Sequence, residues 1–226
     1  FLWYLKIMQR KNITLIGKSE KFYSLIRSIY PKSSIEVLSW RKISTKNNEY
    51  SSKRKNENLI FVNGYHYGGS YFFFKKYYEA NVIRPFNLIK RISNSKTKII
   101  YFNTASNISS KNVSKNLITF SRYEFAKKEL AFKLFNFSQN LLILDIPVIK
   151  SHKNKPLIFG DKISQLIFYI MIKLNLINSI KISDLKVLIK RNIKNKTKSK
   201  PIRLKKIGLF IPRTLFIDRL LRMING

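Results

Sequence analysis

Cysteine is absent from the 226 residues. That excludes disulfides, thiolate metal sites and a cysteine nucleophile, and it fits a reducing compartment. Histidine occurs twice, as His66 and His152. The two are too isolated to suggest a metal site, and the 11 carboxylates form no ligand cluster either. No stretch reaches the ~20 apolar residues of a membrane-spanning helix. The longest candidate, QLIFYIMIKLNLI, is interrupted by Lys173 and reads as a buried helix. The apolar start, FLWYLKIMQRKN, lacks a small-residue cleavage site, which argues against a signal peptide. Met8 directly precedes the first strand signal, so residues 1–7 are expected to be upstream read-through or a fragment edge. Together these features predict a cytoplasmic protein with no membrane span.

Lysine, asparagine, isoleucine, phenylalanine and tyrosine dominate what is present. The formal net charge is +34, from 45 basic and 11 acidic side chains. Such a charge attracts anions, nucleotide phosphates included, by long-range steering. The lysines are nevertheless scattered through helix-like and loop-like stretches alike, the bias of an AT-rich coding sequence rather than of a nucleic-acid-binding face. Apolar residues make up 45% and aromatics 14% of the chain, enough for a core and against global disorder. The length suits one sizeable α/β domain.

Short apolar runs alternate with helical patterns. NITLIG (12–17) reads as a buried strand ended by Gly17. Phe22, Leu25, Ile26 and Ile29 then recur at helical spacing, with Ser19 as N-cap and Pro31 as stop. SIEVLSW (34–40) is a second strand, followed by a polar stretch, STKNNEYSSKRKNEN. LIFVNGYHYGG (59–69) is a third strand running into a glycine-rich turn, where Tyr65 and Tyr67 read as packing aromatics. YFFFKKYYEANVIRPFNLIKRIS is helical, kinked or restarted at Pro85. TKIIYFNTAS (97–106) is a strand, YEFAKKELAFKLFNFS a helix, and NLLILDIPVI (140–149) one further buried strand. This order predicts a Rossmann-like doubly wound parallel sheet with helices on both faces. Residues 8–150 would form that unit, and 151–226 a small, mostly helical C-terminal part of the same domain. In that part SIKIS is a short strand, Asp161 and Asp184 stand at helix starts, KSKPIRLKK (198–206) is a solvated basic patch, and TLFIDRLLRMI is a closing helix.

Two places could carry chemistry. The first strand–turn–helix is where a dinucleotide-binding fold places three glycines, for the tight turn, the approach to pyrophosphate and helix–strand packing. Here Gly17 is present, Glu20 and Tyr23 stand in the later positions, and Lys18 and Ser19 offer a charge and a hydroxyl. Glu20 weakens attraction for pyrophosphate and Tyr23 is expected to obstruct close packing. The second place is SRYEFAKKELAF, where Tyr123 and Lys127 are spaced i, i+4 on one helix face. An ammonium near a phenol favours phenolate, making the tyrosine a proton donor and acceptor near neutral pH. Thr104, or alternatively Ser106, at the preceding strand end could orient a substrate oxygen.

The segments ITLIGKSEKFY, EANVIRPFNLIKRI, KIIYFNTASNIS, YEFAKKEL and LLILDIPVI, in that order, resemble the short-chain dehydrogenase/reductase superfamily, in its extended nucleotide-sugar epimerase/dehydratase branch. The likeness spans roughly residues 11–150, and the chain is short for that branch. It implies Tyr123 as acid/base, Lys127 tuning Tyr123 and binding the nicotinamide ribose, Thr104 or Ser106 as the orienting hydroxyl, and Asn81 as the family's helix asparagine. It implies NAD or NADP bound by Gly17, Lys18, Ser19, Asn63, Gly64, Asn81 and Lys127, with Arg41 after the second strand a place for a 2′-phosphate. Asp145 stands where a basic residue is common. The implied activity is epimerisation, dehydration or reduction of a nucleotide-linked sugar in surface polysaccharide synthesis, with a homodimer as the assembly. The alternatives are an inactive Rossmann-fold binding or scaffold protein, which Glu20 and Tyr23 favour, and a basic nucleic-acid binder, which only the charge favours.

Overall fold

The computed structural model describes residues 12–17, 19–39, 58–63, 74–104, 118–119, 122–157, 162–175, 178–196 and 206–207. For Thr104 and Tyr123 the description reaches the backbone only. The chain runs β1 (Asn12–Ile16), α1 (Glu20–Ile29), β2 (Ser34–Leu38), β3 (Asn58–Val62), α2 (Phe74–Tyr78), a π-helical turn (Glu79–Ile83), α3 (Arg84–Ile92), β4 (Lys98–Thr104), β5 (Ile118–Thr119) and α4 (Arg122–Phe137). It continues through β6 (Leu141–Ile146), β7 (Val148–Lys150), α5 (Lys162–Lys173), β8 (Ser179–Lys181), α6 (Ile182–Asn192) and β9 (Lys206–Ile207).

Five strands form one wholly parallel sheet in the order β2-β1-β3-β4-β6. After β2 the chain crosses β1 and adds β3, β4 and β6 on the other side. The switch point therefore lies between β1 and β3, and the crevice outside their carboxyl ends is where such sheets bind ligands. Both faces are covered, which is why the strands read as near-continuous apolar runs. On one face Ile13, Leu15, Phe61 and Phe102 pack with Leu25, Ile26 and Ile29 of α1 and with Leu185 and Ile189 of α6. On the other, Ile16, Ile60, Val62 and Tyr101 pack with Leu88, Ile89 and Ile92 of α3 and with Leu130, Ala131 and Leu134 of α4. Phe61 and Phe102 stack with centroids 6.0 Å apart, and Phe22 of α1 meets Phe102 at 4.9 Å. The doubly wound sheet expected from the alternating pattern is the fold observed.

Local signals explain several boundaries. Ser19 caps α1, its hydroxyl accepting from the Phe22 N–H at 3.5 Å, and the helix ends at Ile29, two residues before Pro31. Pro85 falls at the start of α3, so the missing proline N–H is absorbed where the π turn hands over to an α-helix. Two expectations are corrected. The segment 140–149 is two strands, because Pro147 has no N–H for the ladder; β6 ends at Ile146, and β7 leaves to pair with β8. The helix containing QLIFYIMIK is only partly buried. Phe168 and Ile172 face inward, whereas Leu166, Ile170 and Leu174 are 58%, 46% and 62% exposed. A helix apolar all round can bury only the side that finds a partner.

The pairing of β5 with β9, Ile118 opposite Lys206 and Thr119 opposite Ile207, has no signal in the sequence. Asp184 does lie in the first turn of α6. Asp161, the polar stretch after β2, the closing TLFIDRLLRMI segment and most of the basic patch at 198–206 lie outside the described residues.

Candidate functional site

Gly17, Ser19 and Asn63 converge on the switch point. Gly17, buried directly after β1, has φ 114°, a conformation open to glycine and costly for any residue with a Cβ. Its N–H donates to the Leu38 carbonyl at 2.9 Å, and the Asn63 N–H donates to the Ile16 carbonyl at 2.9 Å. These two bonds carry the ladder one step past β1 and β3 and leave the N-terminus of α1 above the crevice. Free N–H groups and the helix dipole favour an anion there. Glu20, exposed in the first turn, puts a carboxylate at the same end.

The expected obstruction by Tyr23 is not found. Its ring packs partly buried on the core, and its hydroxyl accepts from Arg27 Nη2 at 3.0 Å, one turn further along the helix. Ile26 remains fully buried against the sheet. Tyr23 is thus directed along α1, and Glu20 is the acidic side chain of its first turn. Lys18, Arg41, Gly64 and Ser106 lie outside the described residues.

The second group gathers at the carboxyl end of β4. Thr104 is the last residue of that strand, and α4 places positions 123 and 127 one turn apart. Lys127 is 4% exposed. Its Nζ donates to the Phe102 carbonyl at 2.9 Å and lies 5.2 Å from the centroid of the Tyr101 ring. The Tyr101 hydroxyl in turn donates to the Lys127 carbonyl at 2.9 Å. Strand and helix are therefore laced in both directions, side chain to backbone. Desolvation by burial pulls the Lys127 ammonium down from 10.5 to about 7. The carbonyl and the ring both favour the charged form, so burial is what prevails.

Asn81 sits in the π-helical turn, 5% exposed, with Nδ2 donating to the Tyr77 carbonyl at 3.3 Å. That turn packs on α4 through Tyr77, Val82 and Ala126, and the Tyr78 hydroxyl donates to buried Glu129 at 3.3 Å. Asn81 thus stands on the element braced against the helix that carries Lys127. π-Helical turns recur at functional sites because the extra residue redirects side chains.

Two contributors were not singled out as site residues by sequence reasoning. Tyr101 gave no sign, since an aromatic inside an apolar strand reads as core. Asn103 gave none either, although its register partner Asp145 stood out where the resemblance implies a basic residue.

No family model matches the chain, and no curated protein matches it. Solved structures do. It superposes on dTDP-4-dehydrorhamnose reductase from Bacillus anthracis, in complex with NADP, with a TM-score of 0.55 at 12% identity, over 83% of this chain and 72% of that one. For the Bordetella bronchiseptica enzyme WbmG, in complex with NAD and UDP, the TM-score is 0.53 at 14% identity, over 88% and 72%. For Helicobacter pylori ADP-L-glycero-D-manno-heptose-6-epimerase it is 0.50 at 14%, over 83% and 74%. At such identities the likeness carries architecture alone: the chain has the Rossmann-like α/β fold of these epimerase and reductase structures.

Proposed function

We propose that the chain binds NAD or NADP across the carboxyl ends of β1 and β3 and transforms a nucleotide-linked sugar by epimerisation, dehydration or reduction. The observation that carries this reading is Lys127. It is a lysine buried under the carboxyl end of β4, four residues after Tyr123 on the same helix. An amine held near neutrality in such a place is expensive to keep, and such groups cluster at sites of chemistry. The similar structures in complex with NADP and with NAD and UDP support the ligand class.

Gly17, Ser19 and the first turn of α1 would hold the pyrophosphate, with Lys18, Asn63, Gly64 and Asn81 lining the rest and Arg41 placed for a 2′-phosphate. When bound, the dinucleotide supplies the hydride donor or acceptor. Tyr123 would exchange the proton of the reacting sugar hydroxyl through its phenol oxygen. Lys127, when charged, would lower the pKa of that phenol, and Thr104 or Ser106 would hold the sugar oxygen in line. Residues 151–226 are assigned as the reduced substrate-side part of the same domain. Service in surface polysaccharide synthesis, in the cytoplasm and as a homodimer, completes the proposal.

Titration with NADH and NADPH followed by nicotinamide fluorescence tests the cofactor. Saturable enhancement is expected, and a flat titration with both would remove the reading. With turnover in hand, Tyr123→Phe is expected to lower it by roughly 100- to 10,000-fold with an unchanged circular dichroism spectrum. An active variant would cancel the acid/base role. A second reading, a binding module without catalysis, is favoured by Glu20 at the phosphate end of α1. It predicts dinucleotide binding without turnover on any nucleotide sugar.

A further inference from the structure

The carboxyl end of the sheet closes on an unusual pair. Asn103 of β4 and Asp145 of β6 are register partners. Each lies two residues beyond a residue of the α4-side core, Tyr101 and Ile143, so both stand on the sheet face that carries Lys127. Asn103 Nδ2 donates to Asp145 Oδ1 at 2.6 Å. That bond orients the amide, because the flipped form would set oxygen against carboxylate. Asn103 Oδ1 is consequently turned away with no hydrogen-bond partner among the described residues, in a residue only 9% exposed. A buried carbonyl oxygen left unmatched costs stability, and native proteins rarely keep one without a use.

Asp145 presents the complementary half. It is exposed, and its carboxylate accepts only from Asn103 among the described residues. In a chain with 45 basic side chains, a carboxylate at a strand end with no ion pair among the described residues is conspicuous. Two acceptors side by side, one formally charged, repel phosphate and welcome a group that donates hydrogen bonds. The carboxyl edge therefore offers opposite chemistries at its two ends: N–H donors beside β1 and acceptors beside β4 and β6.

We propose that Asn103 Oδ1 and the Asp145 carboxylate read the hydroxyl groups of the substrate's sugar, while its phosphates are kept away from them. The inference rests on the nucleotide-sugar reading above and adds to it the residues that determine sugar specificity. Sugar hydroxyls are paired donors at the spacing of adjacent acceptors, and a charged acceptor strengthens each such bond. The same donor-accepting chemistry could take the carboxamide of a nicotinamide, so the test separates the two sources.

Calorimetry would compare UDP-glucose, ADP-glucose and dTDP-glucose, each with its free nucleoside diphosphate, and NADH in parallel. In the wild type at least one sugar nucleotide is expected to bind more tightly than its nucleoside diphosphate. In Asp145→Ala that preference should fall by about tenfold or more, equivalent to about 1.4 kcal/mol, with affinity for the nucleoside diphosphate and for NADH unchanged. Asp145→Asn, which can still accept from Asn103, guards against simple loss of structure and should lose part of the preference while melting like the wild type. A preference unchanged in both variants overturns the inference and leaves the functional reading standing. A loss confined to NADH overturns it in favour of the carboxamide. Failure of the wild type to bind NADH and every sugar nucleotide removes both.

Discussion

The two ends of the sheet's carboxyl edge are held together by different means. Beside β1 and β3 the ties are backbone to backbone, from Gly17 to Leu38 and from Asn63 to Ile16. Beside β4 and β6 they run through side chains, from Lys127 to Phe102, Tyr101 to Lys127 and Asn103 to Asp145. A backbone tie tolerates change in the side chains around it, and these two bonds hold with Glu20 and Tyr23 on the following helix. A side-chain tie is lost with the residue that makes it. Among the described residues, the end with Glu20 and Tyr23 is thus the one whose strand ties depend least on side chains.

Three experiments press on that contrast. The largest effect is expected at Lys127. With the folded-state value near 7 and 10.5 unfolded, both states are protonated below pH 7, and the folded state bears the whole cost of the buried charge. Between about pH 7 and 10.5 the folded protein sheds its proton first, so stability rises with pH, by up to roughly 5 kcal/mol across the window. Urea unfolding at pH 7, 8 and 9 should show that rise in the wild type and a much flatter curve in Lys127→Met. Parallel curves would mean the ammonium is not buried as described.

Tyr101→Phe comes next. It keeps the ring under Lys127 and removes only the hydroxyl that donates to the Lys127 carbonyl, so a loss of about 1–3 kcal/mol in unfolding free energy is expected. Because α4 is pinned less firmly, turnover should fall as well, more in kcat than in KM. An unchanged midpoint would show that the carbonyl's bond within the helix suffices. The smallest effect belongs to the backbone-held end. Glu20→Gln removes a carboxylate from the N-terminus of α1 and should tighten NADH by roughly two- to fivefold, the 0.3–1 kcal/mol of an exposed charge at a helix end. Added salt should shrink that gain, and weaker binding in the variant would show that Glu20 contacts the ligand favourably.

Much of the architecture was legible because its cause is periodic. Apolar runs of five to seven residues ended by Gly17, Asn63 or Thr104, with helical spacing between them, leave little besides a parallel sheet covered on both faces. Ser19, Pro31 and Pro85 act locally, so their consequences could be read one residue at a time. Pro147 was just as local and was passed over because the apolar run continues across it. The exposed stripe of α5 was not legible, since composition says that a helix is apolar and not which side finds a partner.

The site divides in the same way. Sequence alone determined that Tyr123 and Lys127 lie one turn apart and that a glycine ends β1, because helix pitch and positive φ are properties of short segments. Only the tertiary structure decided that Lys127 is buried against a carbonyl of β4, that Tyr23 turns along its helix toward Arg27, and that Asn103 meets Asp145. The first and last of those facts depend on residues 25 and 42 positions apart being brought together, helix on strand and strand beside strand. Strand order and register do that, and they are set by the packing of the whole sheet rather than by any segment of it.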